Sequence, residues 1–181
     1  MEIQKSNISS KQRMVNLFPR FMAFVLTLAA AILLGVDKQT KVVPIKISPN
    51  LPPLNVPVPA KWQYLSAFVY SFVTDVIASS YAAISLIFLI ANRNGKKGLE
   101  LILIILDLVM VALLSSSAGA AMAVGLIAYR GNSHVGWNKV CNIFDNFCEQ
   151  ARASFAVSLL GSLAFLLLIV LAALSLHKRS K

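Results

Sequence analysis

Four apolar blocks, each about the length an α-helix needs to cross a hydrocarbon core, constrain this chain more than any other feature in it. Leu17 to Val36 is the first, with Pro19 and Arg20 near its start and Asp37-Lys38 at its end. Tyr64 to Ala91 is longer and richer in Ser and Tyr, while Leu99 to Ala128 and Ala153 to Leu176 are almost purely apolar apart from small residues, Glu100 at the edge of the third block and one acid further in. Each block is long enough to span with some tilt. The expected fold class is therefore all-α, an integral membrane four-helix transmembrane bundle. Its spans fall at about 17–36, 64–91, 99–128 and 153–176, its loops at 37–63 and 129–152, and its tails at 1–16 and 177–181. A cleaved signal peptide is the alternative for the first block, because Lys5, Lys11 and Arg13 precede an apolar run containing Ala29-Ala30-Ala31. The run is span-length rather than signal-length, which favours a span.

With 57% hydrophobic and 13% charged residues, the 181-residue chain holds more apolar material than one soluble core of its size would bury. The formal charge of +10 invites a nucleic-acid reading. Its basic residues, however, fall almost entirely between and outside the apolar blocks, where phospholipid headgroups meet them, and no base-stacking or helix-turn-helix pattern accompanies them. The expected partner is the lipid bilayer, not nucleic acid.

Four spans put both termini on one side. That side carries ten of the seventeen Lys and Arg residues and the other seven, and Arg93, Lys96 and Lys97 crowd the short turn Asn92 to Gly98, where charge counts most. Both termini are expected to be cytoplasmic. The sequon Asn7-Ile8-Ser9 then stays unused. On the outer side, the loop Asp37 to Gln63 contains Pro44, Pro49, Pro52, Pro53, Pro57 and Pro59, so it is no helix and a poor central strand. An extended, stiff connector is expected, with a peptide-recognition segment as the alternative. Trp62, Tyr64, Tyr129 and Trp137 mark the outer interface.

Apart from Glu100 at the edge of the third block, Arg20, Asp75 and Asp107 are the charges within the apolar blocks, and each needs a partner or a proton at that depth. At about 1.5 Å per residue, Asp107 lies roughly 12 Å from Leu99 and Arg20 roughly 5 Å from Leu17, both measured from the cytoplasmic end. An arginine side chain reaches deeper, so the two can form a structural ion pair; a snorkelling anchor is the bland reading of Arg20. Asp75 lies roughly 24 Å from the cytoplasmic end of its span, out of reach of Arg20, and is a buried polar residue. Asp75 with Asp107 also defines a rival reading as a proton or ion pathway.

Small residues gather at Ser115, Gly119 and Gly125 in the third span and at Ser154, Ser158, Gly161 and Ser162 in the fourth. Such faces permit close helix approach, either inside the bundle or between protomers, and sequence leaves both open. Cys141 and Cys148 share the second outer loop, which the topology places in an oxidising compartment, so a disulfide between them is expected. It would fix Phe144 and Phe147. A metal site is the alternative, but His134, Asp145 and Glu149 lack a zinc-like spacing. No phosphate loop, nucleophile elbow or paired-carboxylate arrangement is present, so neither catalysis nor a cofactor is expected.

Several segments together resemble the Casparian strip membrane protein-like (CASP-like) family of land plants, within the wider MARVEL-like four-helix group. They are Pro19-Arg20, Asp37-Lys38-Gln39-Thr40-Lys41, Ala67-Phe68-Val69-Tyr70, Asp107, and Trp137-Asn138-Lys139-Val140-Cys141 with Phe147-Cys148. In that family a first-helix arginine and a third-helix aspartate are signature charges, which fall on Arg20 and Asp107. The resemblance implies an immobile plasma-membrane platform that guides wall-modifying enzymes. Two departures stand out: the first outer loop is Pro-rich where the true Casparian strip proteins carry a short aromatic-acidic signature, and Asp75 stands where similar proteins commonly have Asn. The leading expectation is a non-enzymatic scaffold that forms homo-oligomers or hetero-oligomers with related chains. A small transporter or channel subunit, and an accessory subunit of another membrane protein, are the rivals.

Overall fold

The computed structural model describes residues 2–45, 54–91 and 97–180. Four long helices dominate it: α1 (Glu2–Gly35), α2 (Ser66–Ala91), α3 (Lys97–Arg130) and α4 (Asp145–Ser180). Each contains a stretch long and apolar enough to cross a membrane, at Leu17–Gly35, Ser66–Ala91, Leu101–Arg130 and Asp145–Ser175. The helices run up and down around a ring in which α1 packs on α2 and α4, and α3 packs on the same two. The short connection between Ala91 and Lys97 favours an antiparallel α2–α3 pair. Helices α1 and α3 thus face each other across one diagonal, α2 and α4 across the other.

Between α1 and α2 the chain forms a two-stranded antiparallel ribbon, β1 (Lys38–Ile45) with β2 (Leu54–Lys61). The proline content argued for extended backbone, and the register shows how prolines also fit a ladder. Pro44 pairs with Asn55, Pro57 with Val42 and Pro59 with Thr40, so all three occupy alternate pairs of one class. Antiparallel pairs alternate between those that exchange hydrogen bonds and those whose N–H groups point away, and proline is compatible only with the second. Period-two alternation also divides the ribbon by face. Val56, Val58 and Ala60 turn one half-buried face inward, while Pro57, Pro59 and Lys61 lie on the exposed one. Pro49, Pro52 and Pro53, like Arg93 and Lys96 of the α2–α3 turn, lie outside the described residues.

α4 begins at Asp145, about two turns before the purely apolar stretch at Ala153. The reason is a helical apolar stripe hidden among polar residues: Phe147, Ala151 and Phe155 recur at four-residue spacing and are all buried. They close a core at the ribbon end with Leu34, Phe68, Ala121 and Phe144. Phe68 meets Phe155 edge-on at 5.0 Å and stacks on Phe147 at 6.0 Å. A second core, toward the tail end, joins Ala23, Ala78, Ala82, Met110, Leu114, Phe165 and Leu168. Large apolar side chains such as Ile84, Ile87, Ile90 and Leu101 point outward, as a lipid-facing surface requires.

Candidate functional site

Both diagonals of the bundle are crossed by polar side chains. On the first, Arg20 Nη2 of α1 donates to Asp107 Oδ2 of α3 at 2.7 Å, with both side chains buried. Tyr81 of α2 completes the group: its hydroxyl donates to Asp107 Oδ1 at 2.7 Å, and its ring lies 5.9 Å from the guanidinium carbon. Both carboxylate oxygens are therefore engaged, which offsets the desolvation that makes buried ion pairs costly. On the second diagonal, Ser158 Oγ of α4 donates to Asp75 Oδ1 of α2 at 2.7 Å, again fully buried. Asp75 Oδ2, and Ser71 Oγ one turn away, have no hydrogen-bond partner among the described residues.

The small residues separate into two groups. Ser154 donates to the carbonyl of Ala30 at 2.8 Å, Ser158 holds Asp75, and Ser162 shares a 2.9 Å hydrogen bond with Ser115 of α3. Gly161 lets α1 approach so closely that a Cβ there would lie 2.9 Å from Thr27 Cγ2. The α4 stripe is thus consumed within the chain. In α3, Ala112, Ser115, Ser116, Gly119, Ala120 and Ala123 are exposed along one side, and a Cβ on Gly119 or Gly125 would meet nothing within 4 Å.

At the ribbon end, Cys141 and Cys148 form a disulfide with Cα atoms 5.7 Å apart, tying the second loop to the first turn of α4. That loop is otherwise shaped by Gly131 and Gly136, both at positive φ, and by the paired Asn132 and Trp137. Phe144 and Phe147, on either side of the α4 start, are buried. Tyr64, Tyr129 and Trp137 are exposed around this end. Among the described residues no group of three His, Cys, Asp or Glu side chains is arranged to hold a metal.

Several participants escaped the sequence reading. Tyr81 is one; a tyrosine in the interior of the Ser- and Tyr-rich second span was its only signal. Gln39 is another: from β1 its Oε1 accepts from the Phe147 backbone N–H at 3.0 Å, satisfying one of the free donors at the start of α4. Trp62, read as an interface marker, donates from Nε1 to the Gly35 carbonyl at 3.1 Å and packs against Phe72. Asp37, just past α1, is buried with Oδ2 unpartnered, and burial pushes its carboxyl up to about 7.

Comparison with known proteins gives a consistent result. The Casparian strip membrane protein domain matches residues 9–164. The chain is 60% identical over 166 residues to CASP-like protein 1E1 of Populus trichocarpa, covering 92% of this chain and 84% of that one. It is 57% identical over 165 residues to CASP-like protein 1E1 of Glycine max, covering 91% and 88%. It is 51% identical over 179 residues to CASP-like protein 1E1 of Arabidopsis thaliana, covering 97% and 94%. No solved structure matches.

Proposed function

The chain belongs to the Casparian strip membrane protein domain family, and on that premise we propose that it is a non-enzymatic plasma-membrane scaffold that self-associates. The exposed small-residue side of α3 carries this reading. In lipid there is little hydrophobic gain in joining helices, so association relies on close backbone approach at small residues and on interhelical hydrogen bonds. The α4 residues serve the chain's own packing, whereas a Cβ on Gly119 would meet nothing within 4 Å and Ala112, Ala120 and Ala123 are exposed beside it, although Ser115 and Ser116 at the edges of this side bond Ser162 and Tyr70. A homo-oligomer, or a hetero-oligomer with related chains, would cover them.

The Cys141–Cys148 disulfide supports an orientation with the ribbon end outside and both termini cytoplasmic, since such bonds persist in oxidising compartments. In that orientation the ribbon and the second loop face the cell wall, where they would meet wall-modifying enzymes. Their rigid connection to the bundle, through Gln39, Trp62 and the disulfide, suits a presenting surface. Native-membrane isolation in polymer discs followed by mass measurement tests the proposal. Particles at multiples of the 19.6 kDa chain support it, and a population at the single-chain mass alone contradicts it.

A further inference from the structure

A groove of about 940 Å³ lies at the ribbon end between α2, α3 and α4, beneath the second loop. Its volume is at the upper end of the range for small-molecule sites. Its floor is aromatic and aliphatic, with Phe68, Phe147, Ala151 and Phe155 buried at its base and Gly125 leaving its wall open. From Asp145 at the rim to Phe155 it extends roughly 15 Å along α4, from the polar residues Asp145, Glu149 and Arg152 into the apolar stretch that begins at Ala153.

A second, polar cleft adjoins the mouth and shares Gly136, Trp137 and Asn138 with it. Arg130 and Lys139 line this cleft, and neither has a carboxylate within ion-pair distance among the described residues. The acids at the groove rim are already engaged: Glu149 with Arg152 at 2.7 Å and Asp145 with Lys41 at 3.7 Å. Exposed Tyr129 and Trp137 sit at the junction, where amphipathic rings mark the headgroup level.

We propose that this groove binds one glycerophospholipid from the leaflet at the ribbon end, its acyl chains against Phe68, Phe147 and Phe155 and its phosphate between Arg130 and Lys139. The apolar floor, capped by two cations that have no carboxylate partner among the described residues, matches an amphiphile in the order of its apolar and charged parts. Water in so apolar a groove would lack partners, and an empty groove of this size would forfeit contacts along its whole wall. A second copy of this chain would have to bring acidic groups to Arg130 and Lys139. The site does not depend on self-association.

The test is native mass spectrometry of the intact protein extracted in mild detergent and titrated with phosphatidylglycerol. A single saturable adduct per chain is expected. Gly125→Phe should abolish it by filling the groove, since a Cβ there meets nothing within 4 Å and the ring has the groove to enter, while Leu163→Phe on the exposed side of α4 should leave it unchanged. Arg130→Gln with Lys139→Gln should weaken it by about thirtyfold, from two lost cation contacts to the headgroup. These two residues are on the surface, so their variant folds and decides the matter even if Gly125→Phe fails to assemble. An adduct retained at wild-type strength in both groove variants overturns the site. So does a wild-type dimer that carries no lipid and is split by Gly125→Phe, since a second copy then occupies the groove.

Discussion

Arg20 and Asp107 occupy opposite corners of the bundle, yet their charged atoms lie 2.7 Å apart. The pair reaches across the centre of the bundle, with Tyr81 holding the remaining carboxylate oxygen. Removing either charge leaves the other uncompensated in a low-dielectric interior, a loss of about 3 to 5 kcal/mol by analogy with buried pairs elsewhere. Arg20→Leu and Asp107→Leu should each sharply reduce the amount of folded protein reaching the cell surface. The double variant should recover much of it, because two apolar side chains are compatible with the interior. A double variant as defective as the two single losses added would mean that the residues act separately.

Close approach of α1 and α4 makes a second prediction. Gly161→Ala puts a Cβ 2.9 Å from Thr27 Cγ2, and Thr27 is β-branched and tied by its hydroxyl to the Ala23 carbonyl at 2.8 Å, so it yields poorly. Overpacking of this kind costs about 1 to 3 kcal/mol. Thermal unfolding should show the loss in Gly161→Ala and its partial reversal when Thr27→Ser removes the methyl group. Additive effects would mean that the contact is relaxed in other ways.

The disulfide is predicted to hold the ribbon-end core together. Closing this short loop contributes about 2 kcal/mol in the chain-entropy model. Reductant should lower the midpoint of unfolding of the wild-type protein and leave a Cys141→Ser, Cys148→Ser variant unaffected. Thiol reagents should label neither cysteine until reductant is added.

Asp37 gives a pH dependence with a definite sign. Its folded-state carboxyl, raised by burial to about 7 from an ordinary value of 3.8, binds a proton over a range where the unfolded chain has released it. Its contribution to stability is therefore fully present below about pH 4 and is lost as pH rises toward 7. Asp37→Asn, which cannot ionise, should remove that part of the decline. The expected result is a smaller difference in melting temperature between pH 5 and pH 8 than in the wild type; an unchanged difference would mean that Asp37 is solvated.

The helices were legible because twenty-residue apolar blocks admit few alternatives, and Arg20, Asp75 and Asp107 stood out because charges at that depth are rare. Less legible was everything that depends on pairing between distant segments. The prolines of residues 37–63 argued against helix, but only the register explains how Pro44, Pro57 and Pro59 avoid the hydrogen-bonded positions of a ribbon. The early start of α4 was masked by Asp145, Asn146, Glu149 and Gln150, which dilute the stripe of Phe147, Ala151 and Phe155. Small residues posed a different difficulty: Ser158 and Gly119 look alike in sequence, and only packing separates a residue that holds Asp75 from one that faces outward.

Cross-linking across the exposed side of α3 tests self-association most directly. The described residues include no free cysteine, so a thiol introduced as Gly119→Cys gives a clean probe in intact membranes. With a short bifunctional thiol reagent, Gly119→Cys should be captured as a covalent dimer, well above the yield from Leu163→Cys on the exposed side of α4. A yield from Gly119→Cys no greater than that from Leu163→Cys would contradict self-association through α3.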